Sequence, residues 1–452
     1  MRDEIFKVPD WFLNAVIYNV FPDSFSNGKR NLTETERTFT DGEGKPHRSM
    51  HGGTIRGVIE NLDYIKDLGF NTVYLNPIFA AGEYHKYDIM DYFHIDPVLG
   101  TDEDFLELTD KVHELGMHII IDGVFNHCGW QHPIFEDVIK KGEASEFKDF
   151  FYGLRFPVRK PGPGERPTYD CFAYEKRMPK LNTANPKVQE YFAKVGAYWV
   201  EKFHIDGWRL DVANEIDKNF WRVFRKAVTA ADPEAVLIGE VWEDATDWIE
   251  YDKMHSSMNY EFRRSCLEGI AQSEKTAGEF GDSLVSMYLR YSEPKAKAQM
   301  NLLDSHDVPR FLSLCDGDIK KMKAALATLF FFPGVPCMFY GDEFAIEGVK
   351  EHEYRMSPPW GEEPKLGGFI KELLKVRKEK LSPASSWARI ETGEKESVFG
   401  FERLQKEPLK VYINTGSEVC DVSELVSEGK VLYSEGLCEG KLESFGFAIL
   451  SC

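Results

Sequence analysis

Four carboxylates stand where apolar runs give out. Asp122 opens DGVFNH (122–127), Asp211 follows Trp208-Arg209-Leu210 in GWRLDVANE (207–215), Glu240 lies in GEVW (239–242), and Asp307 closes LLDSHD (302–307). Taken singly, each has a structural explanation: Asp122 as a turn cap, Arg209 with Asp211 as a buried ion pair, Glu240 as a solvated side chain. Taken together they call for chemistry, because ionised groups are costly to gather at the end of a hydrophobic core. Arg209 precedes Asp211 by two residues, so on an extended strand both side chains point the same way, and the guanidinium is expected to keep Asp211 ionised. Glu240 has no basic neighbour in sequence and sits beside Trp242, which suits a carboxyl that holds a proton. An ionised nucleophile and a protonated acid are what cleavage of a glycosidic bond with retention requires. Asp307, next to His306, would then stabilise charge on the ring or grip its hydroxyls.

Histidines and carboxylates also invite a metal reading, with His127, His306, Asp122 and Asp307 as ligands. It is the weaker reading: no His-x-x-x-His pair shares a helix face, and no thiolate or chelating spacing accompanies them.

The apolar runs at 15–20, 71–75, 118–123, 205–210, 236–241, 257–260, 300–303 and 336–340 number eight, and helical patterns such as 101–115 and 185–202 lie between them. Strands alternating with helices predict a parallel sheet, and eight of them predict a closed (β/α)8 barrel, whose active site lies at the carboxyl ends of the strands. Residues 1–127 and 181–381 are expected to form the barrel. Residues 128–180, with a Pro/Gly-rich stretch at 157–167, read as a small subdomain inserted after the third strand. From 382 to 452 short alternating runs predict a C-terminal antiparallel β-sandwich.

The chain has 452 residues and a formal net charge of -20. That charge disfavours phosphate backbones and anionic lipid, so neither nucleic acid nor membrane is an expected partner. Eight scattered cysteines with no Cys-x-x-Cys pair read as free thiols in a reducing compartment. The N-terminal MRDEIF carries acids where a secretion leader would carry Lys or Arg, so the expected location is the cytoplasm.

The segments DGVFNH, GWRLDVANE, GEVW and LLDSHD, in that order, resemble the α-amylase superfamily of glycoside hydrolases, as do HKYD (85–88), MPKLN (178–182) and GVPCMFYGDE (334–343). MPKLN with DVANE is similar to the subgroup of cyclomaltodextrinases, neopullulanases and maltogenic amylases. The resemblance implies cleavage of α-1,4 bonds, with α-1,6 cleavage and transglycosylation within the subgroup's range, on a neutral α-glucan oligosaccharide. It assigns Asp211, Glu240 and Asp307 to the catalytic triad. Arg209, His127, His306 and the stacking Tyr87 go to the subsite before the scissile bond, Phe172 and Trp242 to the acceptor side, and Arg355 to a more distant sugar. For Tyr87, Phe172, Trp242 and Arg355, packing is the competing explanation.

Two departures from the subgroup stand out. Its members usually carry an N-terminal β domain that helps to form a dimer, whereas the first strand here begins near residue 15, so a monomer or weak homodimer is expected. The stretches matching its calcium loop place Lys29 and Thr54 where aspartates are common, which leaves too few anionic oxygens for a hard cation. No cofactor or metal is expected. Besides hydrolysis, the sequence allows a glucanotransferase and a non-catalytic carbohydrate-binding barrel; an intact triad argues against the last.

Overall fold

The computed structural model describes residues 7–28, 51–393 and 396–452, together with the backbone of the strand pair Thr38–Thr40 and Pro46–Arg48. Residues 1–6, used above to read the N-terminus, and Lys29 of the calcium argument lie outside the described residues. Eight parallel strands close a barrel: β1 (Ile17–Val20), β2 (Thr72–Leu75), β3 (His118–Gly123), β4 (Gly207–Leu210), β5 (Val236–Gly239), β6 (Ser256–Asn259), β7 (Met300–Leu302) and β8 (Val335–Phe339). Each pairs with its neighbours in chain order, and β1 closes the ring by pairing with both β2 and β8.

Strand parity divides the side chains. Ile119 and Ile121 of β3 point outward to the helices, while Ile120 points into the barrel. Val236 and Ile238 of β5 likewise fill the interior and Leu237 packs outside. Inside, Ile17, Tyr74, Met258, Met300 and Val335 complete an apolar plug, with Phe12 and Ala15 packed into it. That period of two, carried one step past the plug, sets the inward direction of Asp122, Asp211 and Glu240.

The helices begin on side-chain caps. In α1 (Asp102–Glu114) Thr101 and Asp104 form a reciprocal capping box, and Gly116, at φ 67°, provides the left-handed turn that leads into β3. In α2 (Pro186–Phe203) Pro186 takes the first turn and Asn185 caps it.

Two excursions from the barrel border its mouth. Residues 128–180 contain one α-helix, Pro133–Lys141, and three short 3-10 turns; Phe135 of the helix packs edge-on against Phe151 and Tyr169, and the segment is pinned to the barrel's rim by antiparallel bridges such as His127 with Lys180. The second, after β2, is a bulged hairpin of Phe79–Ala81 and Ile89–Ile95, which the sequence pattern does not separate from its surroundings.

The C-terminal residues form one six-stranded antiparallel sheet, not the two facing sheets of a sandwich. The barrel supplies the missing layer. Helices α3 (Ala277–Leu289) and α4 (Gly367–Lys380) pack on the sheet through Phe280 with Phe399 and Phe369 with Phe447. The other face is covered by Val422 and the short helix Ser423–Val426 over Tyr412, Leu442 and Leu450.

Candidate active site

The barrel mouth opens on a cavity of about 870 Å³ lined by Tyr87, His127, Phe172, Asp211, Glu240, Trp242, Asp307 and Arg355, with Arg209 and His306 buried beneath it. All ten residues that the family resemblance assigns to the site therefore meet at one place. His85, Met178, Glu215 and Trp248, which were not singled out, line it as well.

Arg209 is the hub. In the sheet register it lies opposite Asp122 on one side and Ile238 on the other, so its guanidinium reaches both neighbouring strand ends. Nη1 donates to both oxygens of Asp122 at 2.9 Å and to Asp211 Oδ1 at 3.1 Å, and Nη2 lies 2.8 Å from Glu240 Oε2. Two expectations change here. Glu240 does have a cation beside it, brought by strand pairing and so invisible as sequence proximity. Arg209, divided among three carboxylates, does not keep Asp211 in the ordinary range: burial raises the Asp211 pKa well above that range, Arg209 opposes it, and the charges of Glu240, Asp122 and Asp307 add to it.

The two carboxylates differ in their partners. Glu240 accepts from Trp242 Nε1 at 2.9 Å and from the Val212 backbone N–H at 3.0 Å. Asp211 Oδ2 is buried and accepts no hydrogen bond among the described residues, so one of its oxygens is open for bonding to a ligand. Gly239 precedes Glu240 for steric reasons, since a Cβ there would fall 2.4 Å from Met254 Sδ.

Asp307 is held by a histidine and an arginine. His306 Nε2 lies 2.9 Å from Oδ2 and Arg355 Nη2 3.4 Å from Oδ1. Burial would raise its pKa, but His306, Arg209 and Arg355 outweigh burial and hold it below the usual carboxylate range. Arg355 is itself engaged, donating to the His306 carbonyl (2.8 Å), to Glu351 (2.6 Å) and to the Tyr84 hydroxyl (2.9 Å).

Tyr87 stacks parallel to His306, and its hydroxyl lies 2.5 Å from His306 Nε2 and donates to Asp122 Oδ2 at 3.1 Å. His127 stacks on Phe172 with ring centres 4.7 Å apart. Burial pushes the His127 pKa down to about 3, leaving a neutral ring whose Nε2 has no partner among the described residues. Trp242 is 45% exposed and lies flat on Tyr260 at 4.2 Å, so one indole face is backed by protein while the residue remains open to solvent.

Among the described residues no group of three His, Cys, Asp or Glu side chains is placed to hold a metal ion. Thr54, at the calcium-loop position, uses its hydroxyl to cap the helix Ile55–Glu60, accepting from Gly57 N–H at 3.0 Å. No helix among the described residues is long and apolar enough to cross a membrane, and all eight cysteines are free.

A family profile described as Alpha amylase, catalytic domain, matches residues 19–392. The chain is 42% identical over 381 residues to a cyclomaltodextrinase of Geobacillus thermopakistaniensis (strain MAS1), covering 84% of this chain and 64% of that protein. It is 37% identical to an intracellular maltogenic amylase of Bacillus subtilis, covering 93% of this chain and 71% of the relative. Among solved structures, cyclic alpha-maltosyl-(1→6)-maltose hydrolase from Arthrobacter globiformis, in complex with that cyclic sugar, superposes with a TM-score of 0.87 at 29% identity, over 98% of this chain and 100% of that one.

Proposed function

The chain belongs to the α-amylase family of glycoside hydrolases, and from that premise we propose that it is a retaining enzyme cleaving α-1,4-glucosidic bonds of maltooligosaccharides, cyclodextrins or related α-glucans. The observation that carries this reading is the shared guanidinium: Arg209 joins Asp211 and Glu240 at the ends of adjacent strands, under a cavity of sugar-binding size and lining.

In the proposed reaction the open oxygen of Asp211 attacks the anomeric carbon while Glu240 gives its proton to the departing glycosidic oxygen. This step needs the proton on Glu240 and the charge on Asp211. Glu240 then takes a proton from water, whose oxygen displaces Asp211 and releases an α-configured reducing end. Asp307, held anionic, would bind ring hydroxyls and favour the oxocarbenium-like transition state. His127 and His306 would contact the same sugar, Tyr87 would stack on it, and Trp242 and Phe172 would flank the acceptor.

The relatives bearing the name cyclomaltodextrinase and the neighbour that hydrolyses a cyclic α-1,6-linked maltose dimer support cyclic and α-1,6-linked substrates as part of the range. The half-exposed Trp242 platform favours a second outcome, transfer to a sugar hydroxyl in place of water. The intracellular relative supports a cytoplasmic location. We further propose action without cofactor or calcium, as a monomer or weak homodimer.

The test is to incubate the protein separately with β-cyclodextrin, maltotriose, pullulan and soluble starch, resolving products over time and reading the new anomer by NMR. Release of α-anomers, with a loss of several powers of ten in turnover for Asp211→Asn, is expected. β-Anomers, or near-native turnover by the variant, would overturn the mechanism.

A further inference from the structure

We propose that Lys86 is a positioning residue: its buried ion pair with Asp96 sets the loop that delivers His85 and Tyr87 to the sugar. Lys86 is 2% exposed and so is Asp96, with Nζ and Oδ2 3.0 Å apart. A lysine is rarely buried, and taking its ammonium out of water is costly unless a well-placed carboxylate offsets it. The proposal rests on the reading of the barrel mouth as a glucan site.

The geometry connects the pair to the site. Lys86 lies at the crown of the hairpin formed by Phe79–Ala81 and Ile89–Ile95, with φ at 64°, a left-handed value uncommon for a side chain of this size. The neighbours on either side, His85 and Tyr87, line the cavity, while the lysine runs back into the protein. Asp96, at the foot of the returning strand, accepts from the Ala81 N–H at 3.0 Å and the Val98 N–H at 2.9 Å. One carboxylate thus ties the crown of the hairpin to both of its legs. Burial pushes the pKa of the nearby Asp88 up to about 8, and the Lys86 charge opposes that rise. The crown is also held at its flanks by Tyr84 with Arg355 and by Glu83 with Arg177. These contacts are half-buried and join other loops, and within the crown the Lys86 N–H donates to the Glu83 carbonyl at 3.0 Å; the Lys86–Asp96 pair ties that turn to the foot of the hairpin. Losing it should let the Tyr87 hydroxyl leave His306 and Asp122.

The test uses Lys86→Met, Lys86→Arg and Asp96→Asn, each alone and combined with Tyr87→Ala. With maltotriose as substrate, well below the melting temperature, Lys86→Met is expected to lower kcat/KM about ten- to hundredfold, mostly through KM, and Lys86→Arg is expected to restore part of the loss. In the Tyr87→Ala background the Lys86→Met effect should shrink to within about twofold, because both changes remove the same contact. A merely structural lysine would give equal losses in both backgrounds, and that result would overturn the proposal, as would a folded Lys86→Met enzyme with wild-type KM. If Lys86→Met does not fold, Asp96→Asn is held to the same criteria. Amide exchange across 82–88, measured without substrate, should quicken in either variant; unchanged exchange there would also overturn the proposal. That measurement is independent of turnover, whereas failure of the wild type to cleave any α-glucan would refute the functional reading alone.

Discussion

Arg209 Nη2 lies 2.8 Å from Glu240 Oε2 while Nη1 lies 3.1 Å from Asp211 Oδ1, so one planar cation fixes the relative position of both proposed reacting carboxyls. Arg209→Lys tests this. An ammonium is a point charge and cannot bridge two strand ends and Asp122 together. Turnover is expected to fall by about a thousandfold or more, with a loss of roughly 3–5 kcal/mol in stability if the buried carboxylates are left uncompensated. Rate on maltotriose and denaturant unfolding measure the two effects; a lysine variant with native turnover would show that the bridge is dispensable.

Asp122 controls the same charge from the other side. Burial leads the rise in the Asp211 pKa, and the Asp122 charge adds to it while drawing on Arg209. Attack requires the ionised form of Asp211, so the acid limb of kcat/KM should lie above the ordinary aspartate range. Asp122→Asn removes a negative neighbour and frees Arg209, and both changes favour ionisation. The acid limb is therefore expected to move to lower pH, by about one pH unit. A pH profile from 3 to 8 decides it, and movement to higher pH would contradict the charge assignment.

The inward direction of the site residues was legible because strand parity is a local property: Ile120 with Asp122, Arg209 with Asp211, and Ile238 with Glu240 differ by two positions. The contact between Arg209 and Glu240 was not, because it depends on the pairing of Arg209 with Ile238 across the sheet. The hairpin that carries Tyr87 escaped notice because its strands are short and bulged, which blurs the alternation. The C-terminal runs announced strands, but alternation says only that one face is buried; that barrel helices cover it through Phe280 and Phe369 is a tertiary fact.

Chelation should leave stability unchanged. Thr54 spends its hydroxyl on a helix cap, and the other stretch that matches the calcium loop carries Lys29 in the sequence. An ion bound at a hundred times its Kd would contribute about 2.7 kcal/mol. The melting temperature with and without EDTA is therefore expected to coincide, and a fall of several degrees that calcium reverses would establish a cation site.

Lys295 gives the fold its own pH dependence. Its side chain is fully buried, and Nζ donates to the carbonyls of Met254 (3.1 Å) and His255 (3.3 Å), just before β6. Burial, aided by the charge of Arg225, lowers its pKa from 10.5 to about 7. The unfolded lysine keeps its proton to higher pH, so between about 7 and 10.5 the unfolded state binds more protons and this residue's contribution to stability grows with pH. It is complete above about 10.5 and is lost as pH falls through about 7. At about 1.4 kcal/mol per pH unit the full span amounts to a few kcal/mol. Lys295→Met removes the titration, whatever the loss of two carbonyl partners costs at every pH. The unfolding free energy of the wild type minus that of the variant should therefore rise from pH 7 to 10, because common titrations cancel in the difference. A difference that stays flat would mean that the lysine remains protonated in the folded protein throughout, stabilised by those carbonyls and by Glu250 more strongly than its burial opposes.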